Sequence, residues 1–202
     1  MSETVIRHND NKEPNAFTQA ELDWLPWLEP FPEADFTERH WAGLVDPARI
    51  KSPYFRLLAR DPDILGARTK TDKDIFYNTV NGLPRAEREL AAAAASRLNG
   101  CIYCASVHAR FATVHSKRKE DVQRLLDEGV GVDIDPRWNA VIAASVALTE
   151  TPVAFDSTHI DRLREAGLDD AEIVDVINGA AFFNWANRLM LSLGEPSASA
   201  KA

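Results

Sequence analysis

The sequence lacks the features of a secreted or membrane-spanning chain. Residues 1–15 contain no apolar signal segment. The most apolar stretch, residues 173–193, is broken by polar and charged residues, and no uninterrupted run approaches the roughly 20 apolar residues that span a bilayer. These absences predict a cytoplasmic protein. Cysteine is also scarce: the chain has two, Cys101 and Cys104, and in that compartment they are not expected to form a structural disulfide.

Basic residues are outnumbered by acidic ones. The chain has 23 Lys and Arg against 31 Asp and Glu, a net charge of -8, which argues against a nucleic-acid groove or an anionic membrane surface as the main partner. No Gly-rich phosphate-binding loop is present. With 202 residues, 45% of them hydrophobic, the chain is long enough for one domain with a sizeable core.

Signals for β-structure are missing, whereas signals for helix starts recur. No Asn-Gly hairpin joins two alternating runs, and β-branched residues are not clustered in strand-sized blocks. Thr18 has a capping-box partner in Glu21, and other capping residues carry an apolar staple or are followed by proline. The seven predicted caps are Thr18, Thr37, Asp46, Asp61, Asp135, Asp156 and Asp169. The predicted fold class is all-α, a single-domain helical bundle of about eight or nine helices.

The predicted domain covers residues 16–194. Residues 1–15 and 195–202 are polar, lack helical periodicity and are predicted to be flexible tails. Helices are expected to end at glycines, because glycine adopts the left-handed C-cap conformation. These glycines are Gly43, Gly129, Gly167 and Gly194. Trp and Phe are abundant in the first 60 residues, which supports a homo-oligomer whose partner subunit covers them.

One segment departs from ordinary helix design. A helix that begins near Pro84 is expected to end at Asn99-Gly100, because both residues tolerate the left-handed conformation. A new helix then begins at or just before Cys101. On it, Cys104 lies one turn after Cys101, and His108 lies one turn after Cys104. The three side chains therefore share one helix face.

That face has the composition of a thiol redox site. The start of a helix favours the thiolate, and His108 can exchange protons with it. Glu89, on the preceding helix, is expected to lie against His108 and orient its imidazole. Cys101 and Cys104 can close a disulfide after modest adjustment. The sequence therefore predicts a redox-active cysteine pair with a His108–Glu89 relay that reduces hydroperoxides.

Two neighbouring residues are assigned outside this site. Glu87 competes with Glu89 for the same role, but its position places it on the solvated face of the helix with Arg88. His115 shares the helical face of His108 if the helix extends that far, and it is interpreted as a loop or rim histidine.

Three other interpretations use the same residues. Cys101, Cys104 and His108 could hold Zn, with Glu89 or His115 as the fourth ligand, although structural zinc usually draws on two separated ligand pairs. The thiols could be inert, because free cysteine is often a small buried hydrophobe. The protein could also be a scaffold whose thiols sense redox state without turnover.

The pattern Glu89-x11-Cys101-x-x-Cys104-x3-His108 resembles the carboxymuconolactone decarboxylase/alkyl hydroperoxidase D superfamily and is most similar to its peroxidase-related branch. The resemblance is sharp over roughly residues 83–111. It implies an all-α fold that forms trimers or hexamers. It also implies a peroxidase cycle in which Cys104 is the peroxidatic thiol, Cys101 resolves it, and His108 with Glu89 relays protons.

The resemblance further implies an external dithiol reductant, such as a lipoyl-bearing adaptor or a thioredoxin-like protein, and no flavin or nicotinamide cofactor. Tyr103 stands where alkyl hydroperoxidase D commonly has His, which is expected to alter the relay or the choice of reductant. The decarboxylase branch lacks the cysteine pair, so decarboxylation is not the activity expected here.

Overall fold

The computed structural model of the protein describes residues 5–78 and 80–198. Within this part of the chain there are nine α-helices and one two-stranded sheet, which confirms the all-α class. The helices are α1 (Glu38–Leu44), α2 (Pro53–Leu58), α3 (Pro62–Tyr77), α4 (Arg85–Leu98), α5 (Ile102–Ser116), α6 (Lys119–Glu128), α7 (Pro136–Thr149), α8 (Ser157–Glu165) and α9 (Asp170–Leu193). Short 3-10 helices span Glu33–Asp35 and Pro47–Lys51. Over the described residues, no helix is long and apolar enough to cross a membrane.

Most of the predicted helix starts are confirmed by the hydrogen bonds of their caps. Asp169 accepts from the backbone N–H of Glu172 at 2.8 Å, and the Glu172 carboxylate accepts from the N–H of Asp169 at 2.9 Å, which completes a capping box. Asp135 accepts two backbone hydrogen bonds at the start of α7. Asp46 caps a 3-10 helix rather than an α-helix. The other confirmed caps are Thr37, Asp61 and Asp156.

The predicted helix start at Thr18 is wrong, and a strand follows it instead. Strand β1 (Leu22–Pro26) pairs antiparallel with β2 (Gly194–Ala198). The Thr18 hydroxyl accepts from a backbone N–H two residues later and so closes a local turn rather than capping a helix. Pro26 leaves room for only about two helical turns after Thr18, too few to persist without packing. Pairing with the C-terminal strand therefore decides the conformation here.

Strand β2 also corrects the predicted C-terminal tail. Residues 195–198 belong to the strand, while residues 199–202 lie outside the described part of the chain. Glu195 anchors the strand, because its carboxylate accepts from Trp27 Nε1 and from Asn11 Nδ2, both at 2.9 Å. Residues 5–15 contain neither helix nor strand.

The predicted glycine stops are right in three helices and wrong in one. Gly129 caps α6, Gly167 follows the cap of α8 in a left-handed conformation, and Gly194 ends α9. Helix α1 continues through Gly43 and ends at Leu44. In that helix the backbone is packed against α3, so that a methyl group on Gly43 would collide with a carbonyl oxygen of α3. The glycine there serves a close helix contact rather than a helix end.

Helix α4 lies at the centre of the bundle and packs against α5, α7 and α9. Its residues Ala91–Ala95 are all fully buried. Such small side chains let neighbouring helices approach closely: a methyl group built on Gly179 of α9 would lie 3.4 Å from the carbonyl oxygen of Arg88. The candidate site is built where α4, α5 and α9 meet α2 and α3.

Candidate active site

The turn between α4 and α5 places the cysteine pair. Gly100 has a left-handed backbone conformation, with a φ of 77°. The N–H of Cys101 donates to the carbonyl of Ser96 at 3.0 Å, and the N–H of Gly100 donates to the carbonyl of Arg97 at 3.4 Å. These are the two bonds of a Schellman motif, as the Asn99-Gly100 sequence predicts. The motif ends α4 and makes Cys101 the N-cap of α5.

The two thiols are buried next to each other and ionise as a pair. Cys101 is 2% exposed and Cys104, in the first turn of α5, is 5% exposed. Hydrogen bonding with Cys104 lowers the pKa of Cys101, because the S–H of Cys104 stabilises the Cys101 thiolate. The same bond raises the pKa of Cys104 well above its ordinary value, and burial raises that pKa further. As the pH rises, the pair therefore loses its first proton at a lower pH than its second, and it carries a single negative charge in between.

Asn187 on α9 supports the thiols from the other side. Its side chain is fully buried, donates from Nδ2 to the hydroxyl of Ser96 at 3.0 Å, and accepts from Nδ2 of Asn99 at 3.1 Å. The hydrogen bond between the thiols and their burial have the largest effects on the two pKa values. Hydrogen bonding from Asn187 is a smaller effect, and it acts to lower the pKa of both cysteines. No local signal in the sequence links Asn187 to the cysteines, because α9 is distant from them along the chain.

The structure brings Glu89 and His108 together as the sequence predicted. Nδ1 of His108 lies 2.6 Å from Oε2 of Glu89, which is 1% exposed. A carboxylate only accepts, so Nδ1 donates the hydrogen, and Nε2 is left to exchange a proton. Arg85, one turn before Glu89, donates from Nε to Oε1 of the same carboxylate at 3.0 Å. This partner is visible in the sequence as an i, i+4 pair, although sequence analysis did not single it out.

Aromatic rings fix the orientation of the imidazole. The ring of Phe183 meets the His108 ring edge-on, with centroids 3.8 Å apart, and the ring of Phe76 lies 5.2 Å away. Both phenylalanines are buried. The imidazole is therefore held by packing as well as by its bond to Glu89.

A cavity of about 180 Å³ opens at this site. Cys104, His108 and Glu89 line it, together with residues of α2 and α3. Its aromatic lining consists of Tyr54, Phe55, Phe76, Tyr77, Tyr103, Phe111 and Phe183. Cys101 lines a separate cavity of about 50 Å³ beside Trp24 and the sheet. A small molecule in the larger cavity can therefore touch Cys104 and His108 together.

Glu87 and Arg88 are not on a solvated face, and that prediction is wrong. Glu87 is buried and accepts from Nε and Nη2 of Arg137 on α7, at 2.7 and 2.9 Å. Arg88 is buried as well and pairs with Asp175 on α9 at 2.8 Å. Helix α4 is surrounded by other helices, so its charged residues find partners inside the bundle. Glu87 thus serves packing between helices, while Glu89 faces the cavity.

The zinc interpretation finds no support in the geometry. In residues 5–78 and 80–198, no three His, Cys, Asp or Glu side chains are grouped so that they could hold a metal ion. His115 is exposed in the last turn of α5, away from the cavity lining. It lies on the helix surface, and neither a loop position nor a place in the cavity lining is found for it.

Fold and site together define a class: an all-α bundle with a buried CxxC pair at a helix start, beside a histidine–carboxylate pair. Residues 62–147 match the model of the carboxymuconolactone decarboxylase (CMD) family. This match covers part of the chain, and it is consistent with the alkylhydroperoxidase-like fold of the structural neighbours. No curated protein matches the chain in sequence.

Three solved structures illustrate the shared fold. A peroxidase-related protein from Ralstonia eutropha JMP134, with an alkylhydroperoxidase AhpD core, superposes with a TM-score of 0.68 at 24% identity, over 81% of this chain and 88% of its own. A peroxidase-related protein from Silicibacter sp. TM1040 gives 0.67 at 22% identity, over 93% and 95%. The debrominase Bmp8 gives 0.65 at 17% identity, over 81% and 87%. At these identities the likeness establishes the fold alone.

Proposed function

We propose that the protein is a thiol-dependent peroxidase of the peroxidase-related branch, which reduces hydroperoxides through Cys104 and Cys101. The observation that carries the proposal is that Cys104 and the His108–Glu89 pair line one cavity. A nucleophilic thiol next to a histidine that a carboxylate orients is the arrangement that activated-thiol chemistry needs.

In the first step the Cys104 sulfur attacks the distal oxygen of the hydroperoxide. The O–O bond breaks, and the sulfur keeps the OH group as a sulfenic acid. The proton that Cys104 loses passes through Nε2 of His108 to the departing alkoxide, which leaves as an alcohol. Glu89 stabilises the imidazolium in between, because it accepts from Nδ1.

In the second step Cys101 resolves the sulfenic acid. Its thiolate attacks the Cys104 sulfur, an S–S bond forms, and hydroxide leaves and is protonated to water. An external dithiol then reduces the disulfide by exchange and is itself oxidised. We propose a lipoyl-bearing adaptor or a thioredoxin-like protein for that role, in the cytoplasm, and a trimeric or hexameric enzyme.

The two thiols differ in pKa and in the cavity that each of them lines. The lower pKa makes Cys101 the first thiolate of the pair, whereas only Cys104 lines the larger cavity. Position decides which sulfur meets the substrate, so Cys104 attacks once its proton has moved to Cys101 or His108. A low pKa suits Cys101 for the resolving step, because that step also needs a thiolate.

A second candidate is reductive dehalogenation of a small aromatic ring. The observation that favours it is the aromatic lining of the cavity, together with the fold shared with the debrominase Bmp8, of which a cysteine-to-alanine variant was crystallised in complex with 2,3,4-tribromopyrrole. Release of bromide from that compound by the wild-type protein and a thiol reductant tests this candidate. If the wild-type protein releases bromide no faster than Cys104→Ser does, dehalogenation is ruled out.

Steady-state turnover tests the peroxidase proposal. With cumene hydroperoxide and dihydrolipoamide we expect turnover by the wild type and none above background by Cys104→Ser. Cys101→Ser is expected to form a sulfenic acid that dimedone traps at Cys104. Trapping at Cys101 in Cys104→Ser, with full activity, would reverse the roles. A wild-type disulfide that no reductant recycles would favour the redox-sensing scaffold.

A further inference from the structure

The cavity that Cys104 lines is also lined by a buried cation that lacks hydrogen-bond partners. Arg68 on α3 is 7% exposed, and among the described residues its Nε and Nη1 atoms find no hydrogen-bond acceptor. Its planar guanidinium lies near the rings of Phe55 and Phe182, at 5.4 and 5.2 Å from their centroids. A buried guanidinium without acceptors is costly, unless a bound molecule supplies them.

A second unpartnered donor lines the same cavity. Tyr54 on α2 is also 7% exposed, and within the described chain its hydroxyl finds no hydrogen-bond partner. Burial raises the pKa of Tyr54, so its phenol stays protonated and can donate. Both Tyr54 and Arg68 line the cavity that Cys104 lines.

The carboxylate beside Arg68 is shared with a second arginine. Asp72 is the carboxylate here, and two arginines share its Oδ2: Arg49 at 3.3 Å, with a hydrogen bond, and Arg68 at 3.4 Å, without one. Arg85, the other arginine in the cavity lining, is paired with Glu89. Arg68 therefore has only a shared carboxylate beside it, and an anionic ligand would supply the acceptors that its Nε and Nη1 lack.

We propose that Arg68 and Tyr54 bind the carboxylate of the substrate, and that the enzyme prefers small hydroperoxides that carry a carboxylate. This inference rests on the proposed function. A carboxylate accepts from the fork of a guanidinium and from a phenol at once, and its charge is opposite to that of Arg68. The cavity, at about 180 Å³, exceeds the roughly 150 Å³ that holds a benzene molecule, which limits the substrate to a compact acid.

Matched substrates test the preference on the wild-type enzyme. The acid is 3-hydroperoxy-3-methylbutanoate, and the control is its methyl ester, which has the same hydroperoxide but no charge. We expect KM for the acid to be lower by about tenfold to a hundredfold, with a similar kcat. Equal values of KM for acid and ester would overturn the inference and leave the peroxidase intact.

Variants test the two residues. Arg68→Met is expected to abolish the difference between acid and ester, Arg68→Lys to keep part of it, and Tyr54→Phe to reduce it about threefold to tenfold. Arg164→Met, an exposed arginine on α8, removes the same charge far from the cavity and is expected to keep the full difference. If Arg68→Met does not fold, Tyr54→Phe still tests the inference, because it removes a single oxygen atom and is expected to fold.

A binding measurement separates this inference from the proposed function. The unreactive analogue 3-hydroxy-3-methylbutanoate, titrated calorimetrically, is expected to bind the wild type and to bind Tyr54→Phe and Arg68→Lys more weakly. Binding without any peroxidase turnover would sustain the carboxylate site and refute the peroxidase. Turnover of neutral hydroperoxides without binding of the analogue would sustain the peroxidase and refute the carboxylate site.

Discussion

Nδ1 of His108 on α5 lies 2.6 Å from Oε2 of Glu89 on α4, and both side chains are buried. Arg85 holds the other oxygen of the carboxylate at 3.0 Å. A carboxylate held from both sides keeps one orientation, and it stabilises the imidazolium that forms when His108 takes a proton. The pair is therefore held in a fixed geometry in the wall of the cavity that Cys104 also lines, as the proposed proton relay requires.

Glu89→Gln is expected to lower kcat/KM for cumene hydroperoxide by about 10-fold to 100-fold, because a neutral amide stabilises the imidazolium less. The matched control is Glu87→Gln, a buried carboxylate on the same helix that pairs with Arg137 outside the cavity. That control is expected to lose about 1–3 kcal/mol of unfolding free energy and no activity. Equal losses of kcat/KM in both variants would show that Glu89 acts only through stability.

The two thiols are expected to titrate in two widely separated steps. Thiolate absorbance at 240 nm should rise first below the ordinary cysteine pKa and again well above it, because one hydrogen bond lowers the pKa of Cys101 and raises that of Cys104. The rate of reaction with hydroperoxide should rise with pH through the lower step.

Single replacements of the cysteines show which sulfur ionises in each step of the titration. Cys104→Ala is expected to raise the pKa of Cys101, since the donor to its thiolate is lost. Cys101→Ala is expected to lower the pKa of Cys104, since the acceptor that retains its proton is lost. Two ordinary, unshifted steps in both variants and the wild type would contradict the hydrogen-bonded pair.

Asn187→Ala is expected to raise the pKa of the first thiol and to slow hydroperoxide reduction at pH 7 by about threefold to tenfold. Asn187 acts to lower the pKa of both cysteines, and its loss also leaves Ser96 without a partner. Asn184→Ala is the control, because Asn184 bonds to Asn99 from the same helix and has no part in either cysteine shift. The thiol titration and the rate are measured for both, and identical behaviour would remove Asn187 from the site.

Gly100→Ala is expected to destabilise the protein by about 1 kcal/mol, because a side chain is strained at a φ of 77° even where space is open. Gly131→Ala, also in open space but without a left-handed backbone, is the control and is expected to cost less than about 0.5 kcal/mol. Urea unfolding measures both. A cost for Gly100→Ala no greater than for Gly131→Ala would contradict the role of the left-handed turn.

The helices and the thiol half of the site could be predicted because their signals are local. Asp-Pro starts, capping boxes and the Asn99-Gly100 stop each lie within a few residues, and they fix α4 and α5 well enough to bring Glu89 back to His108. The strand at residues 22–26 could not be predicted, since its conformation depends on a partner at the other end of the chain.

Two residues of the cavity lining could not be predicted for the same reason. Arg68 and Tyr54 lie in α3 and α2, and nothing near them in sequence distinguishes them from residues of a solvated helix face. Only their burial without hydrogen-bond partners among the described residues reveals them. Glu87 shows the converse, because its charge predicted exposure while its partner on α7 allowed burial.

The most direct test is a single-turnover thiol count. The reduced protein is treated with one equivalent of cumene hydroperoxide, the remaining thiols are titrated, and mass spectrometry locates any bridge. We predict loss of both thiols within each chain, one equivalent of cumyl alcohol and a Cys101–Cys104 disulfide. Two unreacted thiols with the hydroperoxide intact would contradict the proposed peroxidase.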